Sequence, residues 1–510
     1  MNRIDSNITS MGMRLKPSKC RTFSISSGSP SSTTSFFIGQ DKIPTIAEEE
    51  QKFLGKVLFF TGKSEETFSL VKDAFTKQLD NIDKLAVRNE YKMWIYSNYF
   101  LPANRFLLTV HDITETHLKK LDTLTDKYVK KWAGLPVCAT NALLHLPAGL
   151  DFKSISLLYT EAHVISHTRT RLQADADVNY VLDCRVERES QYTRKKSITV
   201  ISEAQYISGL SRNTVQQEIP NFEYENGDRD KRKFINEVRE EVKTSLYCSN
   251  KEKWTDHVKN LVQQGKFLEL AQAEHEDAIW KSYIFDLKHG TMKFLLNAAI
   301  DTLPTNANLF KWNKRTNDKC VLCKCRETTS HILSLEMGKH LWRHNTIINY
   351  LVQSVDTSKF KVFSDLPDHT VDGGSIPADI CITAQKPDLV IIDEKSNTIH
   401  IFELTVPIEH CIEDRHKQKS NKYAHFITDI QHMNTFVTCF EIGSRGYVST
   451  RNQNSLNTLH KFMKPGLKLK KFKQNISALS GYSSYHIFLC RKDPVWTSPN
   501  YLLPPFNDQI

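Results

Sequence analysis

Residues 386–409 read KPDLVIIDEKSNTIHIFELTVPIE, and their pattern decides what the last third of the chain can be. Two apolar, β-branched runs, LVIID and TIHIFEL, flank the polar stretch EKSN, the composition of two strands joined by a tight turn. Pairing symmetric about the Lys395–Ser396 midpoint sets Asp388 opposite Glu403. Two carboxylates sharing a sheet edge just after Pro387 are hard oxygen donors suited to magnesium, which polarises a phosphodiester and activates water. Carboxylate pairs also arise as solvent-facing cross-strand accidents, so the neighbouring segments carry weight.

The next segment, EDRHKQKSNKYAHFITDI, is predicted as one helix with Arg415, Lys419 and Lys422 at i, i+4 and i+7 and with Tyr423, Phe426, Ile427 and Ile430 as its apolar stripe. A basic row beside paired carboxylates can hold a phosphate and stabilise developing negative charge; the plainer alternative is a solvated face. Further on, KFMKPGLKLKKFKQNISAL places Lys461, Lys464, Lys468, Lys470, Lys471 and Lys473 around a helix, with Leu469, Phe472, Ile476 and Leu479 inward. That surface suits phosphate-backbone contact or simple solubility. The strand-like runs LVIID, IHIFELTV, FVTCFEI and SYHIFLC alternate with helical segments, which is an α/β signature.

Upstream, the segment KCVLCKCRETTSHILSLEMGKHLWRH holds Cys320 and Cys323 in a Cys-x2-Cys spacing, then His331, His340 and His344. Two thiolates on a turn plus a downstream imidazole build a small zinc knuckle, because tetrahedral zinc needs four converging donors. His340 is the first choice for the fourth ligand, with Cys325 and His344 behind it; the alternative is unligated buried cysteines near surface histidines. The remaining cysteines, of 11 in all, are isolated, which fits a reducing compartment.

Residues 63–310 read as mainly helical. From Ser64, a plausible N-cap, apolar residues recur at Phe68, Val71, Phe75, Leu79 and Ile82, and a second helix carries Leu118, Leu121, Leu124, Tyr128 and Trp132 with Lys127, Lys130 and Lys131 off that stripe. The run KFLGKVLFF before them is strand-like. Arg185, Arg188, Arg194, Lys195 and Lys196 form a basic set that faces phosphate or solvent. With 510 residues, about three or four folded units are expected. A hydrophobic share of 40% and a charged share of 25% exclude wholesale disorder and fibrous repeats. No apolar run approaches the ~18–20 residues of a membrane span, and MNRIDSNITS has no signal-peptide pattern. The net charge of +10 favours polyanion partners without identifying one.

Taken together, these motifs resemble the C-terminal part of the polyprotein of non-LTR retrotransposons that carry a restriction-like endonuclease. In that family a Cys-x2-Cys-x7-His-x4-Cys knuckle precedes a PD-(D/E)xK nuclease whose lysine has moved from the strand to the following helix. Here KPDLVIID supplies Pro387 and Asp388, IFELTVPIE supplies Glu403, Thr405 stands at the usual lysine position, and Lys419 and Lys422 lie downstream. FLGKVL resembles the end of a reverse transcriptase palm, and KKWAGLPVCATNALLHLP resembles the thumb. Two departures stand out: the family's fourth zinc ligand is replaced by Glu336, and the sequence has no Asp-Asp dipeptide for a polymerase site.

The resemblance implies a multidomain α+β chain: palm remnant (1–62), helical thumb (63–145), helical linker (146–310), zinc-knuckle-like segment (311–350), α/β restriction-endonuclease-like domain (351–495) and tail (496–510). It implies a metal-dependent DNA endonuclease that nicks its target, with Asp388 and Glu403 on Mg2+, Lys419 and Lys422 on the scissile phosphate, and Cys320, Cys323, His331 and His340 on Zn2+. Lys130, Lys131, Arg415, Lys468, Lys470 and Lys471 would contact target DNA or element RNA, at a nuclear site of action and without a membrane. No reverse transcriptase activity is expected from this chain, which on this reading starts after the catalytic palm. The rival expectation is a catalytically inactive nucleic-acid-binding remnant.

Overall fold

The computed structural model describes residues 2–27, 29–49, 51–53, 55–60, 64–171, 175–190, 227–273, 283–334, 338–371 and 374–504. Arg194, Lys195, Lys196 and Glu336 lie outside these. The architecture is mixed, with many helices and small sheets, and no described helix is long and apolar enough to cross a membrane. The chain forms two compact units, one of Met1–Val87, Lys92–Tyr128 and Lys153–Glu252, the other of Arg88–Tyr91, Val129–Phe152 and Lys253–Ile510.

In the first unit, three two-stranded antiparallel ribbons (Ser24–Ser26 with Ser29–Ser31, Phe36–Ile38 with Asp41–Ile43, Gln51–Phe53 with Lys56–Leu58) precede the helices. KFLGKVLFF is therefore a hairpin and not one strand, because Gly55 at φ +87° turns the chain back. The helix Ser64–Lys84 buries the predicted stripe of Phe68, Val71, Phe75, Leu79 and Ile82. Further along, Val164 and Ile165 of the helix Ile155–Arg171 pack on Val242 and Leu246 of the helix Gly227–Lys259.

The second unit contains a four-stranded sheet of β1 (Lys361–Ser364), β2 (Leu389–Asp393), β3 (Thr398–Thr405) and β4 (Asn434–Glu441), ordered β4-β3-β2-β1. The β2–β3 hairpin is antiparallel, with Leu389 opposite Phe402 and Asp393 opposite Thr398, the register expected from the midpoint symmetry. Asp393 Oδ1 accepts the Lys395 N–H at 3.0 Å and helps to hold the turn. β4 pairs parallel to β3, so the chain needs a crossover, and helix α2 (Ile412–Tyr423) supplies it; helix α1 (Lys339–Ser354) precedes the sheet. Both faces of the hairpin are covered, which is why LVII is apolar without alternation. Val390, Ile392, Ile399 and Ile401 pack on Tyr423, Phe426 and Ile430. On the other face, Phe402 meets the ring of Phe462.

Three sequence expectations change here. The predicted single helix over 413–430 ends at Tyr423; a short helix, Phe426–Asp429, follows, and Ile427 is 55% exposed. Tyr423 and Phe426 both enter the core under the sheet, which the break in the helix allows. SYHIFLC is not a strand: it forms the end of helix α4 (Leu469–Leu489), because the small residues before it create a helical contact face. Along that face Ser480 and Ser484 donate to the carbonyls of Gly443 and Ser444, and Ser477 to that of Gly446, whose φ of +85° needs glycine. Lys461 and Lys464 precede α4 and lie off it, since Pro465 and Gly466 break the chain between helix α3 (Thr450–His460) and α4.

Arg343 on α1 joins these parts. Its guanidinium donates to the carbonyls of Leu333 and Val406, both at 2.8 Å, and to Ser484 Oγ at 2.9 Å, with the side chain 1% exposed. Arg343→Met keeps the volume but strands two buried carbonyls, so it is expected to lower the stability of this unit by about 2–4 kcal/mol. A urea midpoint equal to that of the wild type would refute this linking role.

Candidate functional site

The site begins where the apolar face under α2 stops. Strand alternation places Asp388 on the same face as Val390 and Ile392, and Glu403 on the same face as Ile399 and Ile401. Each carboxylate accepts from the opposite strand: the Asp388 N–H donates to Glu403 Oε1 at 3.0 Å, and the Leu404 N–H donates to Asp388 Oδ2 at 2.8 Å. Asp388 is 8% exposed and Glu403 0%, so neither is a solvent-facing accident.

Lys419, on α2 above this face, donates to Glu403 Oε2 at 2.8 Å and to Asp388 Oδ2 at 3.4 Å. His344, on α1, brings Nε2 to 3.2 Å from both Asp388 Oδ2 and the Leu404 carbonyl, while Nδ1 lies 3.0 Å from Asn345 Oδ1. Both imidazole nitrogens thus face acceptors, which suits the charged ring. Burial alone would raise the Asp388 carboxyl, but His344 and Lys419 outweigh it and hold the group well below the usual carboxylate range. Glu403 goes the other way: burial and then the Asp388 charge push it up to about 8, against the pull of Lys419. Burial disfavours both cations, yet the carboxylates raise Lys419 and His344 above their ordinary values.

A second polar pair lies further along the same face. Cys439 of β4 pairs with Glu403 in register, and Glu441, two residues on, is fully buried beside His416 of α2. His416 Nδ1 is 3.0 Å from Glu441 Oε1, its Nε2 is 3.3 Å from Ser420 Oγ, and the Glu441 N–H donates to Asn452 Oδ1 at 3.1 Å. Sequence reading missed Glu441, His416 and the placement of His344. A charged residue ending the apolar run FVTCFEI is the signal that would have found Glu441. Thr405, at the position where a strand lysine was expected to be displaced, keeps its hydroxyl buried and without a hydrogen-bond partner.

Other candidates fall elsewhere. Lys422 donates to the Tyr423 hydroxyl at 2.9 Å and lies over its ring, and Arg415 donates to Gln418 at 2.9 Å, so the basic row contributes Lys419 alone to the carboxylates. Lys468, Lys470 and Lys471 are exposed around the start of α4. Lys130 donates to the Ala139 carbonyl at 2.6 Å, closing the loop after its helix, and Lys131 is exposed.

The cysteine turn is built as the spacing suggests. The Cys320 N–H donates to the Cys325 carbonyl at 2.7 Å, and Lys324 takes φ +62° to close the turn. The donor atoms of Cys320, Cys323 and His331 lie within 4.8 Å of one another, with Cys323 Sγ 3.3 Å from His331 Nε2. Donors on a tetrahedral zinc stand about 3.3–3.8 Å apart, so this Cys2His group could bind zinc. His340, exposed at the start of α1, is not among the donors that converge within this distance among the described residues. His344 is committed to Asp388, and Cys325 is exposed and outside the group.

No family model matches the sequence. Over 431 residues the chain is 21% identical to the retrovirus-related Pol polyprotein from type-2 retrotransposable element R2DM of Drosophila melanogaster. The alignment covers 81% of this chain and 35% of that protein, so the chain spans about a third of this curated relative. The similarity supports a retrotransposon origin.

Two outcomes are expected from this geometry. Purified protein should carry about one zinc per chain, lost in Cys320→Ala and His331→Ala but kept in His340→Ala, by elemental analysis. Lys419→Met should destabilise the second unit by about 1–3 kcal/mol, because two buried carboxylates lose their shared cation. Magnesium should then raise the melting temperature of the variant more than that of the wild type; equal shifts would show that the carboxylates do not converge on a cation site.

Proposed function

We propose that this chain is a retrotransposon-derived, metal-dependent endonuclease that nicks DNA, with its catalytic site at Asp388, Glu403 and Lys419. The observation that carries this reading is the convergence of Glu403 Oε2 and Asp388 Oδ2 on one cationic point, at present the ammonium of Lys419. Hard carboxylate oxygens aimed at one point suit Mg2+, and the two residues would hold it. Bound there, the ion would polarise the scissile phosphodiester and lower the pKa of an attacking water.

The chain's own residues supply the rest. Lys419 would move its ammonium from the carboxylates to a phosphate oxygen and offset the charge that builds up there during hydrolysis. His344 holds the Asp388 carboxylate through Oδ2 and ties it to the backbone of β3, so that the donor oxygens stay aligned when the lysine moves. The reciprocal backbone bonds between Asp388 and the Glu403–Leu404 segment keep both carboxylates on one face. Lys468, Lys470 and Lys471 crowd the positive end of the α4 dipole, an arrangement that costs stability in isolation and favours contact with a phosphate backbone.

On this reading, 351–495 act as a restriction-like endonuclease domain and 311–350 as its knuckle. Target DNA and element RNA are the partners, and the DNA substrate places the action in the nucleus. The similarity to a retrotransposon Pol polyprotein supports the retroelement origin on which this reading rests.

Purified protein should nick supercoiled plasmid with Mg2+ and not with EDTA. Asp388→Ala, Glu403→Ala and Lys419→Ala should each lose about 10²–10⁴-fold in rate. Lys422→Ala should stay near the wild-type rate, since Lys422 is held by Tyr423. A wild type as inert as the Asp388 variant, yet still shifting labelled DNA in a gel, would make the chain a nucleic-acid-binding remnant.

A further inference from the structure

A second basic feature lies in the first unit. Three helices line an open cavity of about 390 Å³, within the ~300–1,000 Å³ range of ligand pockets. Arg105 and Thr109 come from the helix Leu101–Val110, and Ala162, Ile165, Ser166, Arg169 and Thr170 from one stripe of the helix Ile155–Arg171. Arg239 closes it from the helix Gly227–Lys259. His163 fixes the first two helices together through the Leu108 carbonyl, 2.9 Å from Nε2.

The charge here is not balanced from within. Arg105 pairs with Glu161 at 3.3 Å, but Glu161 also takes Lys153 at 2.6 Å. Arg169 and Arg239 have no carboxylate within ion-pair distance among the described residues, and Glu240, beside Arg239, pairs with Lys243 at 2.6 Å. Arg239 Nε is buried and without a hydrogen-bond partner, a costly state for a charged group. Three guanidinium groups thus line one hollow with a single carboxylate at its edge, which Lys153 shares, so the cavity favours an anion.

The lining also indicates which anion. Guanidinium forks match phosphate oxygens bidentately. Among the described residues the hollow has no aromatic ring to stack on a base and no side-chain amide to read one, while the hydroxyls of Thr109 and Thr170 are spent on carbonyls of their own helices. Such a lining contacts phosphate without reading sequence. We propose that the cavity formed by Arg105, Arg169 and Arg239 is a docking site for the phosphodiester backbone of a nucleic-acid strand. It positions the strand on the first unit independently of the carboxylate site in the second.

The test uses the full chain in EDTA, so that cleavage plays no part and failure of the endonuclease reading leaves it intact. Binding of short labelled single-stranded DNA, single-stranded RNA and duplex DNA is measured by anisotropy over a KCl series. Arg169→Met and Arg239→Met should each make the slope of log K against log[KCl] shallower by about 0.7–0.9, with unchanged melting temperature. Arg239→Lys should recover most of the slope, and the probe that loses most identifies the strand type. Slopes that move no more than with the exposed control Lys72→Ala overturn the proposal. So does a result in which inorganic phosphate stabilises wild type but not Arg239→Met while oligonucleotide binding is unchanged, because the cavity is then a small-anion site only.

Discussion

Two carboxylates buried on one face of a hairpin are the constraint around which the second unit is arranged. Two unit charges about 4 Å apart at an effective dielectric of 20 differ by about 4 kcal/mol between attraction and no partner, and the same magnitude acts as repulsion between like charges. Asp388 and Glu403 sit together at 8% and 0% exposure, so cations and backbone donors have to converge on them. Lys419 from the crossover helix and His344 from the helix before the sheet meet that demand, and the opposed strands each lend an N–H. The crossover helix has to lie over the β3–β4 pair for topological reasons, and its position is what brings Lys419 into reach.

Helix α1 serves two tasks with consecutive residues. Arg343 reaches the carbonyls of Leu333, just after His331, and of Val406, just after β3, while His344 reaches Asp388. The cysteine turn and the carboxylate pair are thereby tied to one rigid element. A cation that replaced Lys419 between the carboxylates would leave this framework in place, since no backbone bond of the site runs through the lysine. The burial of Glu441 against His416 extends the same polar seam along α2 and β4.

Local patterns were legible wherever a single element set its own environment. The amphipathic helix from Ser64, the β2–β3 register and the Cys320, Cys323 and His331 convergence all follow from periodicity and spacing that act over a few residues. SYHIFLC misled because its aromatic and branched composition favours a strand, while the serines preceding it make a helical face that matters only against the 443–446 loop. Lys422 and Lys419 are equivalent by sequence spacing. A neighbouring tyrosine hydroxyl takes one, and the carboxylate pair takes the other.

The chemistry on offer is therefore local to the chain: a hairpin with Asp388 opposite Glu403, a cationic helix next in the chain, and a cysteine turn with His331 nearby. Which distant groups share that chemistry is set by packing in three dimensions. His344 is 44 residues before Asp388 and Glu441 is 38 after Glu403 in the chain, separations over which periodicity carries no information. Their meeting depends on helix packing and on the parallel β3–β4 register, because buried charge must find its counter-charge through space and not along the sequence.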